Sequence, residues 1–369
     1  MAIINKNTRL NGICPYFTMF PLEFPYKILK SRAKQGEWVL DPFCGRGTTS
    51  FASRLLGLPS FNIDTNPMAV ALTKSKLAQT TPLKIVSKAK QLLETFGNPR
   101  EMPEGEFWNW AFDVDTLKQL AGIREGMLCS PETDSIQGLR GVILGALHGP
   151  INKTQPTYFS NQCMRTFSPK PRYAVSWWKN KGIKPPKINL IKIIELRANW
   201  YFSKDLPEVK SIVCKSDSRK EDTYGKIPLG VKFNWIITSP PYYGMDTYLS
   251  DQWLRNWFLG GEPTVNYSRG EQISHRSIDD FASDLKEVWI KISRNIAPEA
   301  KMIIRFGSIN HHPENPKTLL LNSLLETGWQ IQTIKSAGKA SDGRRQSTYF
   351  NSRGKNDREE FDVWARFCS

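Results

Sequence analysis

Four consecutive residues, Ser239, Pro240, Pro241 and Tyr242, combine a hydroxyl, two imino acids and an aromatic ring at the end of an apolar run, Phe233 to Ile237. The run has the length and composition of a short buried strand. Neither proline has an amide hydrogen to give, so strand pairing stops there, and each proline holds the residue before it extended. The chain therefore leaves the sheet as a stiff arm carrying the Ser239 hydroxyl, free carbonyls and the Tyr242 ring. Such a set suits a flat ligand with an exocyclic amino group, whose hydrogens the oxygens accept while its ring lies on the tyrosine. A proline-terminated strand with a packed tyrosine would account for the same four residues.

A second constellation lies near the N-terminus. The apolar stretch Trp38-Val39-Leu40 runs into Asp41-Pro42-Phe43-Cys44-Gly45-Arg46-Gly47-Thr48, and helical periodicity starts near Thr48 with Phe51, Ala52, Leu55 and Leu56 on one face. Gly45 and Gly47 permit positive φ and close approach of backbone to a ligand. A phosphate-binding loop would carry a lysine and no acid; Asp41 instead favours a cationic or hydroxylic group such as an amino-acid ammonium. Leu58 to Ile63 predicts a second strand that ends at Asp64. The lag of about 20 residues from the glycine loop is the spacing at which nucleoside-binding folds place an acid on ribose hydroxyls. A helix-capping acid is the plainer role for Asp64. Asn66-Pro67 starts a helix that runs to about Leu77.

These pieces need a sheet to bring them together. Ser211 to Asp217 predicts a third strand ending in an acid, followed by the Ser239 strand, a helical segment Tyr248 to Leu259, a helix Ile278 to Ile296, a strand Met302 to Phe306, a helix Thr318 to Leu325, and two last strands, Trp329 to Ile334 and Phe361 to Arg366. Residues 81–209 interrupt this rhythm with amphipathic helical stretches, including Lys84 to Phe96 and Val114 to Leu128. Within them, Lys179, Lys181 and Lys184 are interleaved with Tyr173, Trp177 and Trp178, the mixture of charge and ring faces that nucleic acid requires. A solvated helix face with core tryptophans would look the same. Arg344 and Arg345 add charge to a basic loop over residues 335–355.

Composition narrows the classes. A chain of 369 residues with 40% hydrophobic content can bury a sizeable core, and a net charge of +16 favours a polyanionic partner, nucleic acid before membrane surface. Nothing approaches the roughly 20 apolar residues of a membrane span, and the polar first ten residues lack the apolar core of a signal peptide. Six scattered cysteines without a Cys-x-x-Cys pair predict neither zinc nor a disulfide framework, so no metal is expected and a reducing cytoplasm is.

Asp-Pro-Phe-x-Gly-x-Gly-Thr-Thr at 41–49 together with Thr-Ser-Pro-Pro-Tyr at 238–242 resembles the amino-group DNA methyltransferases, which methylate cytosine N4 or adenine N6 with S-adenosylmethionine. The resemblance covers residues 12–80 and 210–369. It implies a Rossmann-like α/β fold of the class I methyltransferases: an open, twisted, mostly parallel sheet with helices on both faces. It divides the chain into a cofactor-binding half (1–80), a mostly helical insertion that is a candidate target-recognition region (81–209), and a catalytic half (210–369). In that family the glycine loop holds the methionine end of the cofactor, which maps to Asp41, Phe43, Gly45, Gly47 and Thr48. The second acid, Asp64, takes ribose, and Asp217 lies near adenine. Phe17, within Pro-Tyr-Phe-x-x-Phe-Pro at 15–21, matches the N-terminal cofactor motif more loosely.

Ser239 is commoner in the cytosine-N4 enzymes, and Asp or Asn in the adenine enzymes. The expected reaction is methyl transfer to the exocyclic amine of a flipped base in double-stranded DNA, with Ser239, Pro240, Pro241 and Tyr242 as the catalytic set. No cysteine follows a proline, which disfavours cytosine C5 chemistry. Alternatives are an adenine-N6 enzyme, an RNA base amino-methyltransferase, and a non-catalytic nucleic-acid-binding module. The expected setting is the cytoplasm of a prokaryotic cell or phage-infected host, as a monomer, with a cognate restriction endonuclease acting separately as an admissible partner.

Overall fold

In the computed structural model, β1 (Trp38–Asp41) lies inside the sheet between two parallel neighbours, and the description covers residues 8–16, 20–152, 154–243, 249–266, 273, 277–307, 315–339 and 359–368. The first part of the chain runs α1 (Glu23–Arg32), β1, α2 (Thr48–Leu55), β2 (Ser60–Asp64) and α3 (Pro67–Leu77). Six helices follow: α4 (Pro82–Phe96), α5 (Glu106–Ala111), α6 (Val114–Cys129), α7 (Asp134–Ala146), α8 (Pro171–Lys181) and α9 (Leu190–Tyr201). The last part runs β3 (Ser211–Lys215), α10 (Glu221–Tyr224), β4 (Phe233–Thr238), α11 (Trp253–Phe258), α12 (Ile278–Ser293), β5 (Ile296–Gly307), α13 (Pro316–Leu324), β6 (Trp329–Lys339) and β7 (Glu359–Phe367).

Seven strands form one sheet in the order β3-β2-β1-β4-β5-β7-β6. Pairing is parallel from β3 through β5, and β7 runs antiparallel to both β5 and β6. This topology, with a reversed last strand between its neighbours, is that of the class I methyltransferases. The central strands are near-continuous apolar runs because both faces are covered. Val39, Trp235, Ile237 and Ile303 point into one core with α1–α3 and the helices of residues 81–209; Leu40, Ile236, Met302 and Ile304 point into the other with α12 and α13. That division follows the two-residue alternation of a strand.

Local signals set several helix starts. Asn66 Oδ1 accepts from Met68 N at 2.9 Å with Pro67 in the first turn, and Thr81 and Ser277 cap α4 and α12 in the same way. The expected helix to Ile296 ends instead at Ser293, and the strand expected from Met302 begins at Ile296. The kink that absorbs this lies at Glu299, whose φ is +61°. β6 likewise extends past Ile334 to Lys339, taking up the first residues of the expected basic loop.

The insertion is bound to the segment after Ser239 by Arg255 of α11, which is fully buried. Its guanidinium donates to Leu144 O at 3.0 Å, Thr166 O at 3.1 Å, Gln252 Oε1 at 2.6 Å and Arg165 O at 2.6 Å. Among the described residues no helix is long and apolar enough to cross a membrane, and no cluster of three or more His, Cys, Asp or Glu could hold a metal.

At the reversed edge, Arg305 and Asp362 are cross-strand partners joined by two hydrogen bonds of 2.7 and 2.8 Å, with the guanidinium 3.8 Å from the Phe24 ring centre. Removing one partner of a buried bidentate pair strands the other charge. Asp362→Ala is expected to cost about 3–5 kcal/mol of stability in urea denaturation; a loss under about 1 kcal/mol, the range of exposed pairs, would show that solvent screens this one.

Candidate active site

The parallel order β2-β1-β4 brings the two sequence constellations to one edge of the sheet. β1 pairs with β2 and β4, so Asp41 at its tip stands between Asp64 and Thr238, the last residues of its neighbours. Asp41 is 1% exposed, and its Oδ1 accepts from Thr238 Oγ1 at 2.7 Å and from Phe43 N at 3.2 Å. Thr49 Oγ1 donates to Ile237 O at 3.0 Å, a second link from the glycine loop's helix to β4. Ser239, Pro240, Pro241 and Tyr242 leave the sheet directly beyond this point, outside regular structure.

The loop itself turns twice through positive φ, +49° at Gly45 and +75° at Gly47. The two glycines serve different ends. A Cβ on Gly47 would lie 2.6 Å from Thr73 Oγ1, so packing on α3 demands glycine there. A Cβ on Gly45 would meet nothing within 4 Å, which leaves open space over the loop. Gly45 N donates to Asp64 Oδ2 at 2.8 Å, and Asn66 N to Asp64 Oδ1 at 2.9 Å, so Asp64 holds the loop in place and keeps lone pairs for hydroxyls. Phe43 packs edge-on against Trp289, ring centres 6.2 Å apart, and Thr48 is buried at the start of α2. Tyr16, from the N-terminal motif, accepts from Asn66 Nδ2 at 3.3 Å, while Phe17 lies outside the described residues.

Asp217 sits just past β3. Arg219 Nε donates to both its oxygens at 3.1 Å, Arg219 Nη2 reaches Oδ2 at 2.6 Å, and Nη1 is 2.8 Å from Asp284. Burial alone would raise the Asp217 carboxyl, but Arg219 holds it below its ordinary value. Tyr242 donates to Glu360 Oε1 at 3.0 Å and meets Phe306 edge-on, ring centres 5.4 Å apart. Its ring is thus fixed rather than loose on the arm.

Thr238, Arg219, Asp284 and Glu360 were not singled out from sequence. Thr238 precedes Ser239 on a strand, and alternation could have turned its hydroxyl towards Asp41. Glu360 meets Tyr242 only through the register that sets Gly307 opposite it, which no local pattern encodes.

The basic stretch around α8 differs from its sequence reading. Trp178 is 1% exposed and donates to Gln162 O at 2.6 Å, joining Ala174 and Val175 on the core face of the helix. Lys179 is ion-paired with Glu106. Lys181 and Lys184 are exposed, and Tyr173 alone of the three interleaved aromatics is largely exposed. The face therefore offers charge with little ring surface, because helical periodicity turns the tryptophans inward. Arg344 and Arg345 lie outside the described residues.

An open space over Gly45 flanked by a buried acid at the β1 tip and a half-buried acid at the β2 tip fits a ligand bearing an ammonium group and ribose hydroxyls. In the ligand-free protein both acids are strained electrostatically. Burial raises Asp41 from 3.8 to about 7, against the hydrogen bonds from Thr238 and Phe43, and raises Asp64 to about 6, against the Asn66 and Gly45 amides. Because both folded values are raised, their contribution to stability is full below the ordinary carboxylate range and is lost as pH rises through about 6 and 7. Asp41→Asn is therefore expected to raise the melting temperature of the ligand-free protein at pH 8 relative to the parent, with the difference closing towards pH 4. A difference independent of pH would contradict the buried, raised Asp41.

Residues 2–75 match the profile of the N6/N4 DNA methylase family. The chain is 28% identical over 102 residues to the type II methyltransferase M.MthZI of Methanothermobacter thermautotrophicus, a match spanning 27% of this chain and 28% of that protein's length. Among solved structures it is similar to the rRNA methyltransferase AviRa of Streptomyces viridochromogenes, with a TM-score of 0.37 and 11% identity over 98% of this chain and 93% of that one. It is also similar to a SAM-dependent methyltransferase of Methanosarcina mazei, with a TM-score of 0.35 and 10% identity over 95% and 98%. The match to the methylase family supports S-adenosylmethionine as the cofactor. The chain resembles an S-adenosylmethionine-dependent amino-group DNA methyltransferase.

Proposed function

We propose that this chain methylates the exocyclic amino group of a base in double-stranded DNA, cytosine N4 in preference to adenine N6. The observation that carries the proposal is the meeting of the glycine loop and the Ser239-Pro240-Pro241-Tyr242 arm across the β1–β4 pair, stitched by Thr238 and Asp41. Asp41, Phe43, Gly45, Gly47 and Thr48 would hold the methionine end of the cofactor, Asp64 the ribose, and Asp217 the adenine edge. When bound, the cofactor supplies an electrophilic methyl on a sulfonium. Ser239 in place of an acid or amide favours cytosine.

An amine conjugated to a base ring is a weak nucleophile because its lone pair is delocalised. The Ser239 hydroxyl and the Pro240 carbonyl, on a backbone stiffened by two prolines, can each accept one amino hydrogen. Two acceptors out of the ring plane draw the nitrogen towards tetrahedral geometry and aim its lone pair. The gain comes from orientation and from dipoles fixed in advance. Tyr242 offers its ring to the flipped base, and Glu360 and Phe306 keep that ring from turning. Lys181 and Lys184 and the helices of residues 81–209 are the proposed contribution to DNA binding and target recognition.

Ser239→Ala is expected to lower single-turnover methylation of duplex DNA by about 10²-fold, the scale for losing one preorganised contact to the reacting group. S-adenosylmethionine affinity should stay at the parental level. Tyr242→Ala should weaken binding of DNA with a mismatched target base by about 1–3 kcal/mol. Parental rates in a folded Ser239→Ala protein would overturn the assignment of the arm.

A further inference from the structure

The loop between α7 and α8 has no part in the chemistry above. From Gln162 to Pro169 it forms no helix or strand, yet buried side chains hold its carbonyls along its length. Trp178 Nε1 donates to Gln162 O at 2.6 Å and Trp253 Nε1 to Pro169 O at 2.9 Å. Between these ends His148 Nδ1 donates to Met164 O at 2.8 Å, and Arg255 donates to Arg165 O at 2.6 Å and Thr166 O at 3.1 Å. All of these donor residues are buried. Ser168 N adds a bond to Asp251 O at 2.7 Å. Burial and the Arg255 charge lower the His148 pKa well below its ordinary value, so the ring stays neutral and Nε2 can accept from Ser168 Oγ, 3.4 Å away.

A loop pinned in this way resists movement, because each buried N–H would be stranded if its carbonyl turned away. The middle of the loop sends its side chains outward. Met164 is 50% exposed; Arg165 is exposed, and no hydrogen bond or ion pair engages its guanidinium among the described residues. The packing of α7 places this tip. α7 lies against α3 in the opposite direction: Gly138 abuts Thr80, past the end of α3, and Gly145 abuts Ile13, close to Tyr16, which bonds Asn66 at the start of α3. α7 therefore ends, and the loop begins, at the edge of the sheet that carries Asp64. Asp251, Trp253 and Arg255, which hold the rest of the loop, belong to the segment that follows the Ser239 arm.

We infer that Met164 and Arg165 form a preformed tip that reads bases beside the target, Arg165 on the O6 and N7 edge of a guanine and Met164 on an adjoining apolar group such as a thymine methyl. This rests on the reading of duplex DNA as the substrate. Guanidinium to guanine is the commonest base-specific contact in the major groove. A phosphate would satisfy Arg165 equally well but would leave the half-exposed Met164 without an apolar partner. The pinned carbonyls give the tip its use. Side chains carried on a backbone already fixed lose less freedom on binding, and a fixed backbone holds a bidentate contact in register.

The test gives the purified chain S-adenosylmethionine and a library of duplexes of randomised sequence, and reads the modified sites by modification-sensitive sequencing. The parent should select a site that contains a guanine near the modified base. Arg165→Ala should accept other bases at that guanine, its discrimination there falling by on the order of 10- to 100-fold, with the melting temperature unchanged because the side chain is exposed. Met164→Ala should relax the adjoining position, and Arg165→Lys should recover part of the guanine preference. If Arg165→Ala instead lowers methylation equally on all sequences and makes it less sensitive to salt, Arg165 meets phosphate and the base-reading assignment is wrong. Parental site choice at the parental rate would show that the tip does not touch DNA. Either result leaves the methyltransferase reading intact. A parent that binds S-adenosylmethionine and methylates no duplex overturns that reading and this one with it.

Discussion

The hydrogen bond from Thr238 to Asp41, 2.7 Å long, joins residues 197 positions apart and fixes the geometry on which the site depends. Asp41 is there because β1 runs between β2 and β4, so that its last residue lies between their ends and beside the glycine loop. Thr238 is there because β4 must pair beside β1 before its prolines release the chain. If the two strands were not neighbours, the glycine loop and the Ser239 arm would lie on separate parts of the edge. Open parallel sheets place ligands beyond the carboxyl ends of their strands, and here those ends carry Asp41, Asp64, Asp217 and Ser239 in turn.

The tips of β1 and β2 hold carboxyl groups that destabilise the ligand-free protein above their raised titration range. Asp41 and Asp64 are both raised by burial. The apolar cores on both faces of the sheet offset that cost. The pattern is a sheet whose interior is conventional and whose tips are held ready for charge. The helices of residues 81–209 share the core on the α2 and α3 face, and Arg255 locks the loop between α7 and α8 to the segment that follows the Ser239 arm.

Much of this was legible in the sequence, where short-range chemistry decides. The strand-acid-glycine-helix order gave β1, the loop and α2, and Asn66-Pro67 gave the start of α3. Prolines marked the end of β4. What could not be read was long-range register. The Tyr242–Glu360 contact depends on which residue of β7 faces Gly307, and the Arg219 bridge between Asp217 and Asp284 depends on how α12 lies over the β3 turn. Tryptophans misled for a related reason: Trp178 sits one residue from Lys179, yet a helix turns neighbours some 100° apart, placing one in the core and the other in solvent. The ends of α12 and β5 shifted because the left-handed residue at Glu299 has no sequence signal of the kind a glycine gives.

If this edge transfers a methyl group to an amino nitrogen of DNA, the modified nucleoside will carry that group. The most direct measurement is to incubate the purified protein with duplex DNA and S-adenosylmethionine carrying an isotopically labelled methyl, digest the DNA to nucleosides and identify the labelled species by mass spectrometry. Label is expected in N4-methylcytosine and is expected to be lost with Ser239→Ala. Label in 5-methylcytosine, or none in DNA while the protein demonstrably binds the cofactor, would contradict it.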